Sequence, residues 1–177
     1  MHTSTLRLSG RLGTLALIPM VAGCLDAEDP LKPVPIEETE FASSLGVDLD
    51  AMTVTSTGLY YLDEVVGEGE PAEYGNVMTV DYSFWLSDGR LVDTTLGEND
   101  VPLLIDGIEG DPPQTFGWNS LIAGWREGMV GMRVGGTRLL VIPYTLGYGP
   151  NGYAVVPPYA NIVFRIHLLT NASASAE

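Results

Sequence analysis

A glycine-rich helical segment, residues 119–138 (NSLIAGWREGMVGMRVGGTR), constrains the fold more than any other part of the chain. Its apolar side chains Leu121, Ile122, Trp125 and Met129 recur at helical spacing, so they share one face. The glycines among them each cost a helix about 1 kcal/mol relative to alanine, which makes the segment too weak to stand alone. We therefore predict a short helix held by packing against a sheet. On residue type alone, Trp125 fits an ordinary core residue better than a site, since tryptophan is usually well buried.

The segments around this helix have the alternating pattern of strands. Between Val77 and Leu86 one face is apolar, whereas Thr79, Asp81 and Ser83 lie on the other. The Asp-Gly pair in residues 87–90 predicts a hairpin turn, after which the chain returns as a short strand. Further strands are predicted at residues 59–66, 136–142 and 161–169. This pattern predicts an α+β domain, in which the helix covers the one buried face of an antiparallel sheet.

The N-terminal residues have the features of an export signal. Arg7 and Arg11 precede an apolar run, residues 12–22, that is too short to remain in a bilayer as a spanning helix. The run ends in Val-Ala-Gly-Cys, which resembles the lipobox of bacterial lipoproteins, and Cys24 is the one cysteine of the chain. We expect residues 1–23 to be removed and Cys24 to carry a lipid, which would tether the protein to a membrane. The alternative is an ordinary signal peptide and a free thiol at Cys24.

The segment after Cys24 is rich in proline and acidic residues up to about residue 40. Prolines stiffen such a segment and like charges extend it, so residues 24–52 are predicted to be a tether. Within it, residues 41–52 are more apolar and could dock as a short helix. The folded domain is then expected at residues 53–170, with a disordered tail at residues 171–177. Leu25 after the cysteine favours the outer membrane, facing the periplasm, if the host has two membranes.

Charge and residue usage argue against several classes of function. The formal net charge of -15 repels phosphate backbones, so we expect no nucleic-acid partner. The acidic residues 97–114 miss the spacing of a calcium loop, and His2 and His167 are too isolated for a transition-metal site. No nucleophile elbow or phosphate-binding glycine motif is present, and we expect no metal and no cofactor. Aromatic residues near glycines and prolines remain, and they suit either an apolar pocket or an ordinary core.

Three motifs in a fixed order carry a resemblance to a known family. They are VDYSFWLSDGRLVDTT at 80–95, LIAGWREGMVGMRVGGTRLLVIP at 121–143 and LGYGPNGYAVVPPYANIVFRIHLL at 146–169. Together they resemble the FKBP-type peptidyl-prolyl cis/trans isomerases, over residues 57–169. The resemblance implies a strongly twisted antiparallel half-barrel around one short helix. It also implies isomerisation of X–Pro bonds in polypeptide clients, folding assistance for exported proteins, binding of macrolide inhibitors, and a monomer.

The resemblance further implies an apolar pocket. Trp125 would be the floor under the proline ring, Tyr82 and Asp93 would interact at its side, and the Tyr148 hydroxyl and Ile122 N–H would bind the substrate. Its other implied wall residues are Val92, Leu121, Val155, Val156 and Phe164. One further part of the pocket wall would be formed by Leu104, Gln114 or Phe116, and of these three we assign Phe116 to the site.

Two departures from the family pattern bear on activity. Val92 stands where the family has phenylalanine, which predicts a wider proline site, and residues 97–114 form a longer link than is usual. Two alternatives to catalysis stay open. One is a non-catalytic chaperone that holds prolyl segments in the same pocket, and the other is a lipoprotein that binds a small apolar ligand.

Overall fold

A computed structural model of the chain describes residues 32–96 and 113–173. The predicted signal segment, Cys24, most of residues 97–114, and the last four residues lie outside this described part. Within residues 32–96 and 113–173, no helix is long and apolar enough to cross a bilayer.

The described residues form an open, seven-stranded antiparallel sheet and one short α-helix. The strands are β1 Thr53–Val54, β2 Tyr60–Val65, β3 Val77–Leu86, β4 Leu91–Thr94, β5 Gln114–Gly117, β6 Thr137–Ile142 and β7 Ile162–Ala172, and the helix is α1 Ala123–Met129. The spatial order is β1-β2-β6-β7-β3-β4, with β5 also paired to β3. β4 pairs with the second half of β3 and β5 with its first half. The predicted α+β class is confirmed, and β5 is a strand that the pattern did not predict.

The glycines of α1 allow the helix to lie close to the sheet. A Cβ atom on Gly124 would collide with the side chain of Ile142, and one on Gly128 would lie 2.8 Å from Leu140 Cδ1. Both partners belong to β6 and are fully buried. The glycines therefore lower the intrinsic stability of the helix, but they allow close packing against β6 that stabilises it.

Arg138 joins the end of the helix to the sheet. From β6 its guanidinium donates to the Gly128 carbonyl at 2.7 Å and forms a two-bond pair with Asp63, at 2.6 and 2.9 Å. The carbonyls of a helix's last turn have no intrahelical donor, so a buried arginine satisfies one of them here. Arg138 is 6% exposed, and Asp63 neutralises its charge.

The outer face of the sheet is buried as well, which differs from the one-sided sheet of the sequence prediction. Residues 34–52, predicted as part of the tether, fold as three 3-10 turns and pack across this face. Ile36, Leu45 and Met52 cover an apolar patch made by Leu139, Val141 and Val163 of β6 and β7. Adjacent β6 residues thus point to opposite faces, and residues 139–142 are fully buried.

Polar contacts fix this N-terminal segment at its start. The Asn161 amide donates to the Val34 carbonyl and to the Thr39 hydroxyl, at 2.8 Å each, and the Ala42 N–H donates to the Ser87 carbonyl at 2.8 Å. Asn161 is buried, so its hydrogen bonds replace those that water would make. Residues 34–52 therefore pack as part of the folded structure, and β7 continues to Ala172.

Candidate active site

A cavity of about 150 Å³ opens between α1, the sheet and the loop after β6. Its floor is Trp125 of α1, which is 4% exposed. Three rings stand nearly perpendicular to the indole: Tyr82 at 5.4 Å, Phe116 at 5.5 Å and Phe164 at 5.0 Å between centroids. Perpendicular pairs at these separations are the favourable arrangement of aromatic quadrupoles. The indole is thereby held in one orientation, with its open side toward the cavity.

A tyrosine–aspartate pair forms one side of the cavity. The Tyr82 hydroxyl donates to Asp93 Oδ2 at 2.5 Å, and the second carboxylate oxygen accepts the Thr94 N–H at 2.9 Å. Tyr82 comes from β3 and Asp93 from β4, and both line the cavity. The carboxylate is therefore oriented by two donors while it stays exposed to solvent.

Tyr148 lies across the cavity from the helix, on the loop after β6. Burial raises the pKa of Tyr148, and the nearby Asp93 carboxylate and Tyr153 raise it further. Its phenol therefore stays protonated at neutral pH and keeps a donor at the cavity. The ring stacks on Tyr153 at 5.7 Å and 12°, and on Phe84 at 5.9 Å and 25°.

The residues before α1 complete the cavity. Leu121 and Ile122 line it, and Ile122 is the extended residue that precedes the first helical turn. The first N–H groups of a helix have no intrahelical acceptor, so the backbone here can donate to a bound carbonyl. Ser120 also lines the cavity, although the sequence did not point to it.

Eight of the eleven predicted pocket residues lie around this one cavity. They are Tyr82, Asp93, Phe116, Leu121, Ile122, Trp125, Tyr148 and Phe164. The other three are not among its lining residues: Val155 is 66% exposed, Val156 belongs to the same inner core cluster as Trp125, and Val92 packs against that cluster.

Phe84 is a cavity residue that the sequence analysis missed. It shares the apolar face of β3 with Tyr82, so its burial was predictable but its contact with a cavity was not. Within the described residues, no group of three His, Cys, Asp or Glu side chains could hold a metal ion.

Comparison with known proteins identifies the family. The family model for the FKBP-type peptidyl-prolyl cis-trans isomerase matches residues 68–169, which is more than half of the chain. The "FK506-binding protein" of Neisseria meningitidis serogroup B is 39% identical over 113 residues, which cover 63% of this chain and 94% of that protein.

A longer relative agrees in sequence and in structure. The "FKBP-type peptidyl-prolyl cis-trans isomerase FkpA" of Escherichia coli K12 is 32% identical over 130 residues, 73% of this chain and 42% of FkpA. The crystal structure of Escherichia coli FkpA superposes with a TM-score of 0.61 at 30% identity, over 75% of this chain and 56% of that one. The half-barrel predicted from the motifs is therefore confirmed, and the chain belongs to the FKBP-type peptidyl-prolyl cis-trans isomerase family.

Proposed function

We propose that this protein isomerises X–Pro bonds of polypeptide clients in the cavity above Trp125. The observation that carries the proposal is the convergence of the predicted residues on one aromatic cavity, with the Tyr82–Asp93 pair and the Tyr148 hydroxyl at its edge. The floor is apolar and the donors lie at the rim. This is the arrangement that a proline ring and its flanking carbonyls require.

Catalysis in this cavity is non-covalent. Rotation about an X–Pro bond meets a barrier of about 18–20 kcal/mol, because twisting the amide breaks its resonance. The twisted amide carries a less charge-separated carbonyl than the planar one, so an apolar cavity disfavours the planar state relative to the twisted state. Binding that is stronger for the twisted state lowers the barrier, which is how a cavity without a nucleophile can be a catalyst.

The polar groups at the rim have separate roles in this mechanism. Tyr148, whose raised pKa keeps its phenol protonated, donates to a substrate backbone carbonyl. The N–H of Ile122 binds a second carbonyl, which fixes the peptide on one side of the prolyl bond. Asp93, oriented by Tyr82, sets the electrostatic environment of the bond that rotates.

We further propose that the protein works at the bacterial cell envelope. The signal segment and the lipobox at Cys24 support export and a lipid anchor, with the outer membrane favoured by Leu25. Uncatalysed prolyl isomerisation takes tens to hundreds of seconds, so exported proteins that refold there would gain from a catalyst. Macrolides of the kind named in "FK506-binding protein" are proposed inhibitors, and a monomer is the proposed state.

A prolyl isomerisation assay tests this function directly. The protein from residue 25 onward, which retains every described residue, is assayed by exchange NMR on Ala-X-Pro-Phe peptides with varied X. Trp125→Leu is compared with Trp118→Leu, because both indoles are buried but only Trp125 lines the cavity. We expect turnover to fall at least about tenfold in Trp125→Leu and to change less than about threefold in Trp118→Leu.

An inactive wild-type protein would contradict the proposed catalysis. If that protein still suppressed aggregation of a proline-containing client, the chaperone function would replace it. A small apolar molecule co-purified with the protein would instead favour the ligand-binding lipoprotein.

A further inference from the structure

Phe84 occupies a central place in the cavity wall. It lies on β3 two residues after Tyr82, is 3% exposed, and lines the cavity. Its ring stacks on Phe164 at 4.4 Å and 13°, the shortest centroid separation among the ring pairs of the cavity residues. A buried ring in such contact has one orientation, so it presents a rigid wall.

The residue at position 92 does not have this role. Phe84 pairs with Asp93 and Trp85 pairs with Leu91, so Val92 is the extra residue of a β-bulge. Bulges redirect the side chains around them. Here Asp93 lines the cavity, while Val92 packs against the core cluster that contains Phe84 and is not among the lining residues.

Phe84 also connects the buried core to Tyr148. The rings of Phe164, Phe84, Tyr148 and Tyr153 follow one another in near-parallel stacks, with successive centroids 4.4, 5.9 and 5.7 Å apart. The first two rings are buried and Tyr153 is 69% exposed. The Tyr148 ring thus lies between the buried ring of Phe84 on one side and the exposed ring of Tyr153 on the other.

We propose that Phe84 is the specificity-determining aromatic wall of the proline site in this protein and that it positions Tyr148. Valine in place of phenylalanine at position 92 predicted a wider proline site. Because Phe84 fills the wall from the neighbouring strand, the side chain at 84, not at 92, sets the size of the site. This inference rests on the proposed isomerase function.

Substitutions at the two positions separate these alternatives. Phe84→Leu removes the ring, Phe84→Met keeps most of its volume without the ring, Val92→Ala trims the bulge, and Val92→Phe adds the ring that position 92 lacks. Leu86→Ala is the structural control, since Leu86 is buried on the same face of β3 but does not line the cavity. Each variant is made from residue 25 onward and assayed at a temperature well below its unfolding midpoint, with Ala-Leu-Pro-Phe and Ala-Gly-Pro-Phe peptides.

We expect kcat/KM to fall at least about tenfold in Phe84→Leu and at least about threefold in Phe84→Met. Val92→Ala, Val92→Phe and Leu86→Ala should stay within about twofold of the unsubstituted protein. In Phe84→Leu the ratio of kcat/KM for the two peptides should also change, which a purely structural defect would not produce. A loss in Val92→Ala that equals or exceeds that in Phe84→Leu, or a gain in Val92→Phe, would overturn the inference.

Failure of the proposed function gives a different result from failure of this inference. If the unsubstituted protein shows no turnover, the proposed catalysis is contradicted. The role of Phe84 is then tested by measuring the affinity for the same Ala-Leu-Pro-Phe peptide by NMR titration. Affinity should fall about tenfold in Phe84→Leu and remain within about twofold in Val92→Ala. A larger loss of affinity in Val92→Ala than in Phe84→Leu would overturn the proposed role of Phe84. Absence of peptide binding to the unsubstituted protein would overturn it as well.

Discussion

In residues 32–96 and 113–173, the two faces of the sheet bury similar apolar side chains, and the cavity formed around the Trp125 ring lies on the inner face. On the inner face, the seven-residue helix α1 and the loop after β6 cover the sheet. On the outer face, residues 34–52 lie over Leu139, Val141 and Val163. The outer cover is continuous along the chain, whereas the inner cover is assembled from separate segments.

The difference shows how a short helix can create a site. Seven residues are too few to cover a strand as long as β3, so rings from β3, β5 and β7 remain in contact with open space beside Trp125. At the outer face, the described residues 34–52 instead bury the apolar cluster of β6 and β7. We therefore expect substitutions in the outer cluster to change stability alone and substitutions around the cavity to change activity.

The largest expected effect is on stability, at the outer face. Leu45→Ala removes a side chain that is 2% exposed, and such core truncations cost about 2–5 kcal/mol. Chemical denaturation should show this loss, while kcat/KM at low temperature stays within about twofold. Val54→Ala is the control, since Val54 is 53% exposed and its truncation should cost little. A large fall in kcat/KM for Leu45→Ala would contradict the separation of the two faces.

The next effect is on activity, at the inner face. Tyr148→Phe removes the proposed donor, and kcat/KM should fall about tenfold, or about 1.4 kcal/mol. Tyr144→Phe is the matched control, because Tyr144 is a partly buried tyrosine of the same loop that packs on Tyr159 outside the cavity. Equal losses in the two variants would contradict the role of Tyr148.

The pH dependence of this donor has a definite sign. Burial, Asp93 and Tyr153 raise the pKa of Tyr148 above its ordinary value of 10.0, so the neutral phenol persists to higher pH. The activity ratio between the unsubstituted protein and Tyr148→Phe should stay constant from pH 6 to about pH 10 and fall only above that. A ratio that collapses between about pH 8 and pH 9 would show that the phenol ionises too early for this account.

A smaller effect is expected for the hydrogen bond at the side of the cavity. Tyr82→Phe removes the bond to Asp93, and a hydrogen bond of this kind contributes about 0.5–1.5 kcal/mol to the free energy of unfolding. Because Asp93 is exposed and regains water, the loss should lie at the lower end of that range. Asp93→Ala in the Tyr82→Phe background should add less than Asp93→Ala alone. Fully additive losses in urea unfolding would show that the two side chains are not coupled.

The smallest expected effect is a change in stability from a hydrogen bond at the outer face. The Tyr60 hydroxyl donates to Glu37 Oε1 at 2.6 Å, which lowers the pKa of Glu37 below its ordinary value of 4.5. A carboxyl group whose pKa is lower in the folded than in the unfolded state stabilises the protein at pH values above its unfolded-state pKa. This stabilisation is lost as the pH falls through the folded-state pKa. Glu37→Gln should therefore slightly lower Tm at pH 7 but not near pH 3, with Glu38→Gln as control. If the difference in Tm between Glu37→Gln and the unsubstituted protein were the same at pH 7 and near pH 3, this prediction would be contradicted.

The sequence predicted the inner face better than the outer face. The inner elements have strong local signals: β3 was predicted over the residues it occupies, Val77–Leu86, and the helix around Trp125 follows from its spacing. The outer cover has only a weak signal: residues 41–52 are more apolar and could dock as a short helix, but Ile36, Leu45 and Met52 follow no helical or strand period. A second signal was available, since the unbroken apolar run at residues 139–142 predicts a strand that is buried on both faces.

The cavity could be predicted only through the family motifs. Alternation in β3 places Tyr82 and Phe84 on one face but does not show which of them meets open space. That depends on where α1 and the loop after β6 end, and these positions follow from contacts distant in sequence. Val92 was expected in the site because the family has phenylalanine at that position, whereas nothing in the motifs pointed to Phe84.

The indole N–H signals of the chain's three tryptophans give the most direct test of where prolyl peptides bind. Trp125 is the cavity floor, Trp118 packs on Tyr74 beside the helix, and Trp85 lies against the outer cluster. Each signal is assigned by substitution and followed by NMR as an Ala-Leu-Pro-Phe peptide is added. We predict that the Trp125 signal shifts progressively to saturation while the Trp85 signal stays fixed. A shift of Trp85 with an unmoved Trp125 would place binding on the outer face and contradict the account.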